Sequence, residues 1–410
     1  PLYSQSHLPV REQTTAEGHA VRAVYMYCAM ADLAYYYNDR ELLESCMRLW
    51  DNITTKRMYI TGAIGSSGIL ERFTTDYDLP NSSNYGETCA SIGLALFGRR
   101  MMQITRDSKY MDVVEKALYN TVLSGIAMDG KSFFYVNPLE VWPDNCLPRT
   151  SMEHVKPVRQ KWFGVACCPP NIARTLASLA EYIYAQAEDT LWVNLFVEGK
   201  ARVKFEERYI NLTTKTRFPF DGNIKILLED NEGMEFNLAV RIPGYVNKYS
   251  ITADGADIGK EGYDKGYQYI RINGQKEIEI KFDLTPKFVH ANPLVRADSG
   301  RVAITKGPLV YCLEEVDNGS NLSACFIDTR QPITEEYHED LLGGTTVLKV
   351  KGMKISQENW NPDELYKDTG IVWEQKEFIA IPYCYWCNRK PGEMMVWMKE
   401  YFGDRTGFIF

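Results

Sequence analysis

Residues 171–196 read NIARTLASLAEYIYAQAEDTLWVNLF, and the hydrophobic rhythm changes inside this stretch. Up to about residue 187 the apolar positions recur at helical spacing, and from Glu188 onward they alternate, as in 192–196. A period of 3.6 buries one stripe of a helix, whereas a period of two buries one face of a strand. The chain therefore passes here from helices packed on helices to sheets. Upstream, residues 17–37 carry Val21, Val24, Tyr25, Cys28, Ala31, Leu33 and Tyr35 at helical spacing. Residues 41–55 repeat the pattern with Leu42, Leu43, Cys46, Leu49, Trp50 and Ile53, and 87–104 and 110–126 continue it. Downstream, alternation marks 192–196, 223–228, 236–242, 267–272, 277–282 and 302–312. Turn signals at Asp221-Gly222 and Asp254-Gly255 separate these short strands, the pattern of a β-sandwich. A further break falls at Asp283-Leu284-Thr285-Pro286. The expectation is a multi-domain chain, α then β: a helical unit over 1–187, a β-sandwich over 188–284 and a second β-sandwich over 285–410.

At 410 residues the chain is too long for one ordinary core, which agrees with that division. The net charge of -8 and the lack of a basic stripe argue against nucleic acid or an anionic membrane as partner. There is no apolar run of about 18 residues, hence no membrane-spanning helix. The 10 cysteines show no disulfide-like spacing, and the first residues show no export signal. Both point to a reducing, cytoplasmic setting. The 26 tyrosines and 8 tryptophans suit sugar stacking or core packing alike. A homo-oligomer is compatible with all of this.

Two loops interrupt the helical region. Residues 58–85 are dense in Gly, Ser, Asp and Pro (Gly62, Gly65, Gly68, Pro80), and a loop of that length in a compact domain is usually functional. Residues 132–136 look like a short strand, and 137–164 form a second polar loop that delivers Ala166-Cys167-Cys168-Pro169-Pro170-Asn171. A related knot, Gly86-Glu87-Thr88-Cys89, stands where the first loop meets a helix. Glu87, Cys89, Cys167 and Cys168 make a complete ligand set for a tetrahedral Zn2+ ion. Adjacent cysteines rarely pair with each other, because the vicinal ring departs from ordinary disulfide geometry. A structural zinc, a catalytic centre and simple packing of small thiols all remain open on this pattern. Glu71, in the long loop, favours chemistry. An acid close to a metal-held thiolate supplies the nucleophile and acid/base pair of a retaining glycosidase.

Five stretches carry a family resemblance: Val10-Arg11-Glu12-Gln13-Thr14-Thr15-Ala16-Glu17-Gly18-His19, Arg57-Met58-Tyr59-Ile60-Thr61-Gly62-Ala63-Ile64-Gly65, Asp76-Tyr77-Asp78-Leu79-Pro80-Asn81, Tyr85-Gly86-Glu87-Thr88-Cys89 and Trp162-Phe163-Gly164-Val165-Ala166-Cys167-Cys168-Pro169. Arg241-Ile242-Pro243-Gly244 and Gly307-Pro308-Leu309-Val310-Tyr311-Cys312 extend it into the β region. The chain resembles the zinc-dependent β-L-arabinofuranosidases of glycoside hydrolase family 127 in all but its tail after about residue 401. That resemblance implies an (α/α)6 barrel followed by β-sandwiches. It also implies zinc on Glu87, Cys89, Cys167 and Cys168, with Cys167 as nucleophile, Glu71 as general acid/base and His19 as a sugar-binding residue. The family barrel has about twelve helices and only five or six are legible here, so the expectation is a barrel entered midway. The substrate class implied is a β-L-arabinofuranoside of plant origin. A different furanose, or a zinc-stapled carbohydrate-binding protein without catalysis, are the competing readings.

Other polar features carry less. Glu115 matches a family glutamate and reads as structural support. Cys384-Tyr385-Trp386-Cys387 has no second CxxC and reads as strand packing. His154, His290 and His338 have no ligand-like neighbours and read as surface or loop residues.

Overall fold

The computed structural model describes residues 2–403 apart from 206, 230–232, 359 and 369; the final stretch of the expected 285–410 unit, 404–410, lies outside the described residues. Its first part is helical: α1 (Ala20–Tyr36), α2 (Arg40–Asn52), α3 (Thr88–Thr105), α4 (Lys109–Ala117), α5 (Cys168–Ala177) and the short α6 (Ala180–Ile183). Each start has a local cause. Asp39 caps α2 by accepting from the Leu42 amide at 3.0 Å, which satisfies one of the orphan donors of a first turn. Gly86, at φ +53°, turns the chain into α3; a Cβ there would lie 2.9 Å from the Asn137 carbonyl oxygen. α1 and α3 pack face to face, so close at Gly93 that a Cβ would sit 2.4 Å from Val24 Cγ2. Trp50 fills the space behind them, 5.4 Å from Phe97 and 4.9 Å from Tyr110 between ring centroids. Leu33 and Tyr35, counted above in the apolar stripe of α1, are instead exposed.

Several boundaries differ from the sequence reading, each for a physical reason. The second and fourth helices run on into widened π turns, Ile53–Arg57 and Leu118–Val122, rather than regular helix. Residues 132–136 form isolated bridges only, Phe133 with Ile126 and Gln160 and Val136 with Glu87. The helix expected to reach 187 stops at Ile183, because Tyr184–Ala187 turns at Glu188 (φ +49°) and pairs antiparallel with Thr190–Val193. Ala and Gln are good helix formers, but propensity is worth only a few tenths of a kcal/mol per residue and tertiary pairing overrides it.

Two sheets follow. One orders Tyr263–Asp264, Tyr267–Asn273, Glu235–Arg241, Thr190–Val193 and Tyr184–Ala187. The other orders Gly199–Phe205, Arg208–Thr216, Asn223–Glu229, Lys276–Phe282, Tyr249–Ala253 and Ala256–Asp257. Alternate residues from both, among them Leu191, Ile210, Ile226, Leu238, Ile270 and Ile280, close one core between them, which is a β-sandwich. The C-terminal part is a single ten-stranded sheet that bends back on itself, since Leu309–Glu314 pairs both with Trp373–Pro382 and with Arg301–Lys306. Its two walls are thus continuous rather than separate sheets. The run read as one strand over 302–312 is two, divided by Gly307 at φ +54°. One strand of this sheet, Glu140–Val141, comes from the helical region and pairs with Met394–Met395.

The parts are joined by buried polar contacts. Arg241 of the sandwich reaches Glu115 on α4 at 2.5 Å and Asp112 at 2.6 Å. Asn120 donates to the Pro308 carbonyl and accepts from the Val310 amide. No described helix is long and apolar enough to cross a membrane.

Candidate active site and metal centre

The four expected ligands converge. Glu87 is the N-cap of α3 and Cys89 its second residue; Cys167 is the N-cap of α5 and Cys168 its first residue. Two helix N-termini therefore meet at one point, and their dipoles favour the anionic forms of all four side chains. Pro169 and Pro170 open α5 at no cost in hydrogen bonds, since first-turn amides are orphans anyway. The sulfurs of Cys89 and Cys168 lie 3.4 Å apart, and those of Cys167 and Cys168 lie 3.9 Å apart. Glu87 Oε1 stands 3.6 Å from Cys167 Sγ and 3.8 Å from Cys168 Sγ. Ligands bound tetrahedrally with Zn–S bonds of about 2.3 Å are about 3.8 Å from one another, so this spacing suits such an ion. A second observation agrees: Glu87 Oε2 is buried without a hydrogen-bond partner among the described residues. Burial and the neighbouring Cys167 push the Glu87 carboxyl up to about 8. Such a cluster resists full ionisation by itself and accepts it around a cation.

The sulfurs are not equivalent. Cys89 and Cys168 are buried and Cys167 is exposed. Hydrogen bonds from the Cys168 and Cys89 thiols, then from Tyr135, hold Cys167 well below the ordinary thiol range. Tyr135 Oη lies 2.9 Å from Cys167 Sγ, and burial keeps that phenol protonated, hence a donor. Its neighbourhood is tied down by Asn137, whose Nδ2 donates to the Gly86 carbonyl and to Thr88 Oγ1, both at 2.9 Å.

Glu71 faces this cluster from the long loop. Leu70 and Glu71 both adopt left-handed backbone, φ +61° and +51°, which costs a non-glycine residue about 1 kcal/mol and persists where surrounding structure demands it. The demand comes from both sides: Arg72 bridges to His19 and to Ser67, and the Phe73 amide donates to the Gly18 carbonyl. The carboxylate is gripped at both oxygens, by His19 Nε2 at 2.8 Å and by the Tyr85 hydroxyl at 2.8 Å. His19 caps α1 by accepting from the Arg22 amide on Nδ1, which puts its proton on Nε2. His19, Glu71 and Glu87 offer donor atoms all within 4.8 Å of one another.

These side chains line one cavity of about 440 Å3, together with Tyr25, Tyr135, Asn171 and Arg174. Sequence reasoning missed Tyr85, Tyr135 and the rim group in which Arg174 donates to Tyr25 Oη (2.9 Å) and to Asn171 Oδ1 (2.5 Å). Their only signal was a generous tyrosine count, which packing explains equally well. Of the CxxC, Cys384 lies buried in a 3-10 turn after its strand, not in the strand, and Cys387 lies just beyond that turn, packed against the core. Glu115 is fully buried and ion-paired, far from solvent. His290 pairs with Glu400 and His338 with Glu336. His154 does more than decorate a loop: it stacks on Tyr85 at 6.5 Å and bonds the Asn84 carbonyl, backing the phenol that holds Glu71.

The fold is one of helices followed by sheets, with a Cys3Glu cluster that could hold a metal ion beside an acid. The chain belongs to glycoside hydrolase family 127. Three family models match it in succession: the β-L-arabinofuranosidase GH127 catalytic domain over residues 1–181, the GH127 middle domain over 190–285 and the family 127 C-terminal domain over 286–399. It is 37% identical, over 98% of its length, to a non-reducing end β-L-arabinofuranosidase of Bifidobacterium longum subsp. longum, and spans 62% of that relative. The crystal structure of a GH127 β-L-arabinofuranosidase from Geobacillus stearothermophilus T6 superposes with a TM-score of 0.94 at 46% identity, covering 98% of this chain and 63% of that one. A glycoside hydrolase at 32% identity gives 0.89, with 98% and 69% covered.

Proposed function

We propose that this chain carries the catalytic centre of a retaining glycosidase that releases β-L-arabinofuranose from plant-derived glycans. The observation that carries the reading is the single exposed sulfur, Cys167, opening into the cavity that Glu71 lines. Glu87, Cys89, Cys167 and Cys168 hold the zinc ion in this reading. Bound there, zinc keeps the sulfurs ionised at neutral pH without a neighbouring base.

The chain's own residues do the rest. Cys167 Sγ attacks the anomeric carbon while Glu71 gives its proton to the leaving oxygen; the carbon–oxygen bond breaks and a carbon–sulfur bond forms. Glu71, now a carboxylate, takes a proton from water as that water displaces the sulfur, which restores both groups. His19 and Tyr85 aim the two oxygens of Glu71, and Tyr135 steadies the anionic sulfur before attack and after release. His19 also faces the cavity, where it meets the sugar. The relative's name supports the sugar assignment.

A panel of aryl furanosides, assayed with and without a chelator, tests the substrate class and the metal together. A mechanism-based β-L-arabinofuranosyl inactivator tests the roles by adding one sugar mass to the peptide bearing Cys167. A label on Glu71 or Cys168, or no label in protein that still binds zinc, overturns the assignment.

A further inference from the structure

A second cavity, of about 400 Å3, lies on the seam between the helical region and the C-terminal sheet. Its lining includes Asp129 and Arg159 from the first and Asn388, Arg389 and Lys390 from the second. Arg159 is only 9% exposed, yet no carboxylate among the described residues pairs with it. Its Nε donates to the Ser124 carbonyl at 3.1 Å and its Nη1 to the Trp386 carbonyl at 2.8 Å. The guanidinium also lies 4.4 Å from the centroid of the Phe134 ring. Its Nη2 is buried with no partner among the described residues. Arg389, on the same cavity, spends its two terminal nitrogens on Asp317 and Glu314 and leaves a buried Nε without a partner. Lys390 is exposed and makes no ion pair among the described residues.

Two buried guanidinium nitrogens without partners among the described residues, on side chains that line one cavity, are costly. A buried, unpaired charge costs several kcal/mol, and each unmet donor adds its own desolvation penalty. Carbonyl dipoles and an aromatic face compensate Arg159 in part but bring no counter-charge. Both orphans are donors, and a guanidinium has no acceptor, so the missing group must accept hydrogen bonds. The lining holds one carboxylate, Asp129, and its Oδ1 already accepts from the Lys131 amide. The cavity is larger than a water or a halide needs.

We propose that this seam cavity binds a small oxyanion, a phosphate or a carboxylate, between Arg159 and Arg389 with Lys390 at the mouth. The ligand bridges the helical region and the C-terminal sheet. It also braces the loop that delivers Cys167, eight residues beyond Arg159. The site is separate from the metal centre and stands or falls independently of the glycosidase reading.

Isothermal titration of the full chain with inorganic phosphate and, separately, with acetate tests it, at constant ionic strength set by potassium chloride. Thermal unfolding provides a parallel readout. Saturable binding and a raised unfolding midpoint are expected for at least one anion, and the stronger arm identifies its source. Arg159→Met is prone to misfolding, so the decisive variants are exposed ones. Lys390→Ala weakens binding about three- to tenfold, and Asp129→Asn tightens it by a few-fold, the signs expected for a nearby cation and anion. No saturable heat from either anion up to about 50 mM, equal protection by chloride, or affinities unmoved in both variants overturns the proposal.

Discussion

Glu87 and Glu115 are both buried glutamates at or on helices of the same region, and they sit in opposite circumstances. Both oxygens of Glu115 are used: Oε1 accepts from Arg241 at 2.5 Å and Oε2 from the Tyr245 hydroxyl at 2.8 Å. Glu87 has sulfurs at 3.6 and 3.8 Å and one oxygen with no partner among the described residues. A carboxylate buried for stability is saturated by donors in the fold, because an unmet charge inside a protein is expensive. A carboxylate kept for chemistry leaves a place for something else. Burial alone does not separate the two; the count of partners does.

The largest effect that would test this contrast is on turnover. Cys167→Ala should lower the rate of aryl β-L-arabinofuranoside hydrolysis by at least about 10,000-fold, because the attacking atom is gone. Metal content measured on the same sample separates lost chemistry from lost metal, and retained turnover would remove Cys167 as nucleophile. On the saturated side, Arg241→Met should cost about 3–5 kcal/mol of stability by urea unfolding, since it strands Glu115 and Asp112 in the interior. A loss below about 1 kcal/mol would mean that the seam does not depend on this pair. Glu87→Gln should behave in the opposite way. It should leave the metal-free protein about as stable as before and weaken zinc binding more than about 100-fold, read by competition with a chromophoric chelator.

Asp298 offers a pH test at another buried seam. It accepts from Asn81 Nδ2 at 2.7 Å, and burial pushes its carboxyl up to about 6 from 3.8. The folded form then holds a proton that the unfolded chain has already released between those values, so stability falls as pH rises from about 4 to about 6. The expected loss is about 2 kcal/mol, and Asp298→Asn should abolish that slope. An unchanged slope in the variant would place the titration elsewhere. The smallest effect belongs to Tyr85→Phe, which removes one of two bonds to Glu71 and should slow turnover about tenfold without changing stability by more than about 1 kcal/mol. A shift in the alkaline limb of the kcat/KM pH profile should accompany it, because Glu71 must hold a proton to act as the acid, and a purely structural phenol would not produce that shift.

Much of the molecule was legible along the chain. The passage from helices to sheets followed from a change of period, which is local and set by which face each residue must bury. The ligand types were legible too, because Cys167-Cys168 and Glu87-Thr88-Cys89 are short and chemically specific, and their convergence is what the structure adds. Less legible were Tyr184–Ala187, whose composition leans to helix and is overridden when Thr190–Val193 pairs with it, and Glu140–Val141, two residues that are a strand only because Met394–Met395 lies alongside. Tyr85, Tyr135 and His154 were hidden for the same reason, since an aromatic side chain looks like packing until its polar tip has a partner.

What the sequence by itself determined, then, is periodicity, the helix start at Glu87, and the chemistry of the four candidate metal-ligating side chains; the start of α5, read at Asn171, falls at Cys168. What only the tertiary structure decided is which of the adjacent sulfurs meets solvent, which glutamate is saturated, and which donors reach Glu71. Periodicity and residue chemistry are properties of neighbours within a few residues. Exposure and hydrogen-bond partnership depend on groups tens to hundreds of residues away, as with Arg241 on Glu115, 126 residues apart. Only packing brings those together.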